Sequence, residues 1–322
     1  MKAFSTAAIV VLATCGCTST LSELIVSAPN HALPTARTLN VGRAKLKGVD
    51  HAFQVPVGPP DAMLQISVID PKPPEDGTLA PQPRGTILVL HGIYAESSFM
   101  VRVARELAES GYRAVLVDLR GHGNSSGRFL TYGQQEARDL SQVIDALAYH
   151  RLIIGRLGVY GISYGGATAI QLAGIDERVE AVVSVAAFSS MRDVVPGYIR
   201  SMTLGLGWLL PDAYYQKAID QAGERGGYEP DMSSALVAIQ KTDARVLLIH
   251  GKSDLLVSHE HAVKMREAAR DRTKLVLLPF DGHASVWLDR NGEIRRQSAE
   301  WFDRWLRDRS RASGNGSQVR EQ

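Results

Sequence analysis

Leu157-Gly158-Val159-Tyr160-Gly161-Ile162-Ser163-Tyr164-Gly165-Gly166-Ala167-Thr168-Ala169-Ile170-Gln171-Leu172 reads as an apolar strand, a tight turn carrying one hydroxyl, and a helix. A strand that runs straight into such a turn lifts the serine side chain clear of the backbone. The departing helix then aims its N-terminus at whatever reacts there. Gly161 and Gly165 keep side chains out of the crowded bend. The same Gly-x-Ser-x-Gly spacing recurs at Gly123-Asn124-Ser125-Ser126-Gly127. That copy lies in a polar, glycine-rich stretch well after its strand, with no helix directly behind it, and reads as a loop. Ser163 is therefore the candidate nucleophile and Ser125 the weaker rival.

Outward from this turn, short apolar runs alternate with helical periodicity. The runs are Thr86 to Leu90, Ala114 to Leu119, Leu157 to Tyr160, Val179 to Val185, Val246 to Ile249 and Leu275 to Leu278. Helical spacing covers Phe99 to Glu109, Gln134 to Tyr149, Gly165 to Ala173, His259 to Arg270 and Arg295 to Trp305. Continuous apolar strands between helices are the pattern of an α/β fold, a mostly parallel open sheet covered on both faces. Leu64 to Ile69 alternates like a half-buried strand ahead of the proline-rich loop 71–83. Residues 189–244 are too long for a simple crossover, so they are expected to form an insertion between the strands Val179 to Val185 and Val246 to Ile249. Their Tyr198, Trp208, Leu209, Leu210, Tyr214 and Tyr215 suit a lid over an apolar pocket. A surface excursion with its own small core is the alternative.

An acyl-transfer site also needs a base, an acid to orient it, and donors for the oxyanion. After the serine of such a turn the acid comes first and the histidine second. Asp254, in His250-Gly251-Lys252-Ser253-Asp254, follows one strand, and His283, in Phe280-Asp281-Gly282-His283, follows the next. Both fall at carboxyl ends of strands, the edge where open α/β sheets hold ligands. Asp281 is the rival acid, but two residues from His283 it must fold back sharply. His91, His122, His250, His259 and His261 each have a structural explanation. The i, i+2 spacing of His259 and His261 sends them to different sides of a helix, which disfavours a metal pair. The expected oxyanion donors are the backbone N–H groups of Tyr164 and of Ile93, in the loop His91-Gly92-Ile93-Tyr94, with the Tyr94 hydroxyl as an alternative aid. No metal and no cofactor is called for.

The N-terminus has a different character. Lys2, the apolar run Ala7 to Ala13 and Cys15-Gly16-Cys17-Thr18-Ser19 read as an export leader, too short to span a bilayer. Both cysteines of the chain lie in it, which leaves the folded part without thiol, disulfide or cysteine metal ligand. The leader resembles that of bacterial lipoproteins, a resemblance that implies acylation of Cys17, preceded by Gly16, and a membrane-anchored enzyme in the cell envelope facing the periplasm or exterior. A plain secretory leader is the alternative. Residues 1–21 are thus expected as leader, 22–43 as linker, 44–307 as the domain and 308–322 as a disordered tail. With 36 basic and 34 acidic residues the net charge is +2, and nothing in the pattern suggests nucleic acid.

Taken in order, the His-Gly loop, Asp118-Leu119-Arg120-Gly121-His122-Gly123, the serine turn, Gly251-Lys252-Ser253-Asp254 and Gly282-His283 resemble the α/β-hydrolase superfamily from about Thr86 to Trp305. Leu119 to Ser125 and Gly161 to Gly166 are similar to its monoglyceride-lipase-like and serine-aminopeptidase or prolyl-oligopeptidase-like branches. The resemblance implies Ser163, Asp254 and His283 as triad, donors at Ile93 and Tyr164, a lid between strands 6 and 7, and no cofactor. A dehalogenase needs a carboxylate where Ser163 stands, and the wide Gly-Gly-Gly loop of one esterase branch is missing. The expected substrate is a small-molecule acyl ester, with an amide or short peptide second. A non-catalytic module that binds an envelope ligand is the alternative of another class.

Overall fold

Alternate residues of the central strands enter two separate cores, as the period-two geometry of a strand requires. Leu88, Leu90, Val115, Val117, Val159 and Val182 share one core, while Ile87, Val89, Ala114, Leu116, Tyr160 and Val183 share the other. These strands form an eight-stranded sheet in a computed structural model that describes residues 18–32, 48–72, 82–203 and 206–307. They are β1 (His51–Val57), β2 (Ala62–Ile69), β3 (Gly85–Leu90), β4 (Arg113–Val117), β5 (Arg156–Ile162), β6 (Val179–Val185), β7 (Arg245–Gly251) and β8 (Thr273–Leu278). The spatial order is β1-β2-β4-β3-β5-β6-β7-β8, parallel from β4 to β8, with β1 and β2 antiparallel at one end.

On the first face lie α3 (Gln134–Tyr149) and α4 (Tyr164–Ala173), which contribute Leu140, Val143, Leu147, Ile170 and Leu172 to the core. On the second lie α2 (Val101–Glu109) and α10 (Glu293–Leu306), through Ala104, Leu107, Trp301 and Phe302. The chain leaves β3 toward β4 on one side and returns through β5 on the other. The loop after β3 and the serine turn after β5 therefore meet at the switch point of the sheet, where α/β folds open a crevice.

Between β6 and β7 the insertion is helical, with α5 (Met191–Met202), a 3-10 turn at Leu206–Leu209, α6 (Asp212–Gly226) and α7 (Ala235–Lys241). Of its expected pocket residues, Tyr215 is buried and bonded to Gly207 O, whereas Trp208 and Leu209 are exposed. The remaining helices are α8 (Glu260–Ala268) and α9 (His283–Leu288). No helix among the described residues is long and apolar enough to cross a membrane.

The reading of 22–43 as a linker is corrected in its first part. Thr18–Val26 form a helix, α1, and Pro29–Ala32 a further helical turn. Leu21, Ile25, Val26 and Ala28 are buried, each larger side chain contributing about 1.5–3 kcal/mol in removed apolar surface. On one side Arg225 of α6 donates to Ser22 Oγ (2.9 Å) and Glu23 Oε2 (3.1 Å). On the other, Leu130 N–H donates to Val26 O (2.7 Å) and Asn30 Nδ2 to Gly123 O and Ser125 O (3.0 Å each). The segment thus ties the insertion to the loop after β4, and residues 18–21, counted in the leader, are the start of that helix. Cys17, the rest of the leader and the tail 308–322 lie outside the described residues.

Candidate active site

Ser163 occupies the bend between β5 and α4 with φ 54° and ψ −114°, a strained conformation for a residue with a side chain. Its N–H donates to Val185 O at 2.7 Å, so the bend is anchored to the neighbouring strand. The two glycines are required by close approach. A Cβ at Gly161 would lie 2.2 Å from Gly165 O, and one at Gly165 would lie 2.5 Å from His91 O. That second contact also sets the loop after β3 directly beside the turn.

Around Ser163 the structure gathers residues from distant parts of the chain. Its Oγ lies 3.2 Å from His283 Nε2, and His283 Nδ1 donates to Asp254 Oδ2 at 2.7 Å. With Nδ1 committed to a carboxylate, Nε2 is the ring nitrogen left to accept the serine proton. Asp254 Oδ1 accepts from Leu256 N (3.0 Å) and Val257 N (2.9 Å). Burial alone would push the Asp254 carboxyl up, but hydrogen bonds from His250, His283 and the Val257 N–H hold it well below the usual carboxylate range. The acid therefore stays ionised beside the ring. Ser163 and Asp254 are each 5% exposed, while the His283 side chain retains 14%, enough to leave the ring open to a substrate.

The rival residues have other work. Ser125 Oγ donates to Asp118 O (2.6 Å) and accepts from Gln65 N (2.8 Å), a structural pair of bonds. Asp281 enters through its backbone carbonyl, which accepts from Ser253 N (2.9 Å) and joins the two loops that bear Asp254 and His283. His91 is buried beneath the site; Leu119 N–H donates to its Nε2 (3.0 Å) and its Nδ1 donates to Gly92 O (2.8 Å). Burial pushes its ring down to about 4, in keeping with a neutral spacer. His122 packs on it at 4.9 Å between ring centroids. His259 pairs with Glu260 (3.3 Å), and His261 Nδ1 lies 2.8 Å from Ser189 Oγ. Among the described residues no group of three or more His, Cys, Asp or Glu stands where it could hold a metal ion.

The two expected oxyanion donors lie in the serine turn and in the loop after β3. Tyr164 is the first residue of α4, so its N–H has no acceptor within the helix. Ile93 follows the His91-Gly92 loop that abuts the turn. Two features escaped the sequence reading. Trp287 reaches back one helical turn from His283, with ring centroids 6.1 Å apart. His250, which reads as structural in the sequence, lies with its Nε2 3.3 Å from Asp254 Oδ2; its i, i+4 spacing to Asp254 is the available signal.

Residues 64–224 match the family model of X-Pro dipeptidyl-peptidase (S15 family). The chain is 28% identical over 228 residues to the uncharacterized protein YfhR of Escherichia coli (strain K12), covering 70% of each. It is 25% identical over 213 residues to dipeptidyl-peptidase 5 of Porphyromonas gingivalis, which spans 63% of this chain and 30% of that protein. In three dimensions it overlays an esterase of Pyrococcus furiosus with a TM-score of 0.62 at 22% identity, over 83% of this chain and 96% of the other. That likeness confirms the α/β-hydrolase fold.

Proposed function

The chain belongs to the X-Pro dipeptidyl-peptidase (S15) family of hydrolases, and from that premise we propose that it cleaves carboxylic esters by way of an acyl-enzyme on Ser163. His283 takes the Oγ proton as Ser163 attacks the acyl carbonyl, and Asp254 holds the ring and stabilises the imidazolium. The N–H groups of Ile93 and Tyr164 receive the developing oxyanion. The imidazolium then protonates the leaving group. A water, deprotonated by the same ring, attacks the acyl-enzyme and releases the acid. The single observation that carries this reading is the run of contacts from Ser163 Oγ through His283 to Asp254, at 3.2 and 2.7 Å.

An ester is favoured because the rim near the acid and base is apolar, with Leu255 and Phe280 almost fully exposed, and on this reading the insertion, with its exposed Trp208 and Leu209, serves as an apolar lid. The overlay with nearly the whole of the Pyrococcus furiosus esterase supports the same choice. An amide or short peptide is the second reading, favoured by the family model and by dipeptidyl-peptidase 5, of which this chain matches less than a third. Steady-state assays with p-nitrophenyl acyl esters and aminoacyl anilides separate the two. The expected result is a higher kcat/KM on esters; a higher value on anilides reverses the order.

The same reading takes Cys17 as an acylated residue and the bacterial cell envelope as the site of action. Because α1 begins at Thr18, such an anchor would hold the domain against the bilayer with almost no spacer. Metabolic labelling with a palmitate analogue is expected to mark the protein and to be lost in Cys17→Ser. Equal labelling of both forms refutes the anchor.

A further inference from the structure

His250 ends the apolar part of β7 with its ring fully buried. Its Nε2 lies 2.8 Å from Val257 O. A carbonyl only accepts, so Nε2 carries the proton. The same Nε2 lies 3.3 Å from Asp254 Oδ2, the oxygen that His283 Nδ1 engages from the other side at 2.7 Å. Asp254 Oδ1 is already occupied by the N–H groups of Leu256 and Val257. The carboxylate therefore faces four donors, two backbone groups on one oxygen and two imidazoles on the other. Val257 donates to Asp254 and accepts from His250, which closes a small ring of bonds around the acid.

We infer that His250 is a positioning residue: its Nε2–H shares Asp254 Oδ2 with His283 and thereby sets how strongly that oxygen holds the base. The inference rests on the assignment of Ser163, His283 and Asp254 as a working triad. A second donor on Oδ2 withdraws negative charge from the Asp254–His283 contact. Without it, the oxygen favours the imidazolium form of His283 more strongly, so the base keeps its proton to higher pH. The loop 254–257 also loses the bond that fixes Val257, and the ring is aimed less well.

The other titratable groups near this pair lie on α8, α5 and the adjoining loops. His261 of α8 is pushed down by burial to about 4. Burial pushes Asp193 of α5 up, but Lys264, Ser189 and His261 outweigh it and hold its carboxyl low. Lys252 and Asp281 stand in the loops beside Asp254 and His283, and α9 carries no titratable side chain besides His283. Neither His261 nor Asp193 changes charge near neutrality, so neither supplies an acid limb there.

The test is the rate of Ser163 labelling by a fluorophosphonate, measured against pH on the full chain for wild type, His250→Phe and His250→Gln. Phenylalanine fills the space without a donor, whereas the glutamine amide nitrogen can reach the place of Nε2. In His250→Phe, labelling at neutral pH is expected to slow about tenfold and the acid limb to rise by about half a pH unit. His250→Gln is expected to keep the wild-type limb. A slower rate with an unmoved or lowered limb in His250→Phe means that the ring is packing alone and overturns the inference. If His250→Phe fails to fold, His250→Asn, whose shorter amide falls short of Oδ2, must show the raised limb, and a wild-type limb there likewise overturns it. Wild-type protein that is not labelled at Ser163 refutes the triad assignment itself, a separate result.

Discussion

Replacing Ser163 by alanine is expected to lower kcat on any ester that the wild type turns over by about a million-fold, the scale seen when a triad nucleophile is removed. The side-chain oxygen has His283 Nε2 as its partner, and the backbone bond from Ser163 N to Val185 O is untouched by the change. Alanine tolerates the same φ no worse than serine, so the thermal midpoint should shift by no more than about 2 °C. Progress curves on p-nitrophenyl acetate, with melting followed by circular dichroism, check both parts. Because base and nucleophile act as one unit, Ser163→Ala with His283→Ala should lose little more than either alone. A fall of tenfold or less in Ser163→Ala would mean that another group attacks.

The second large effect is expected from Asp254→Asn, about ten-thousand-fold in kcat. The geometry dictates which way the new amide turns. Oδ1 accepts from two backbone N–H groups, so the amide oxygen must occupy that place. Its NH2 then faces His283 Nδ1, which can only accept from it, and the ring proton moves to Nε2. A ring protonated at Nε2 cannot take a proton from Ser163. Folding should survive, since both backbone donors remain satisfied and the His250 Nε2–H, which loses Oδ2 as an acceptor, keeps Val257 O. Comparing kcat/KM and the melting curve of Asp254→Asn with wild type tests the argument, and a loss below about a hundredfold would show that Asp254 does not fix the tautomer.

The parallel sheet is legible because its strands β3 to β7 are buried on both faces and so read as apolar runs, and the periodicity marks α3 to its ends, Gln134–Tyr149. The serine turn was legible for a related reason, since the strand before Gly161 and the helix after Gly165 are both apolar and abrupt. What escaped depended on contacts that no local pattern encodes. β1 is an edge strand that carries Pro56, a residue that argues against a strand, and it is held chiefly by pairing with β2. α1, nine residues long, lies beside the stretch that reads as a leader, so its apolar stripe of Leu21, Ile25 and Val26 is intelligible only beside α6 and the loop after β4. His250 looked like a core histidine, and it is one. Its bearing on Asp254 arises from the turn at 251–254, which brings the carboxylate back against the ring.

The most direct test of the central claim is intact-mass and peptide mass spectrometry after exposure to a fluorophosphonate at neutral pH. The account predicts a single adduct on Ser163, formed rapidly in the wild type, slowed at least about a thousandfold in His283→Ala, and absent from Ser163→Ala. An adduct on another residue, or labelling of Ser163 at an equal rate when His283 is gone, would contradict it.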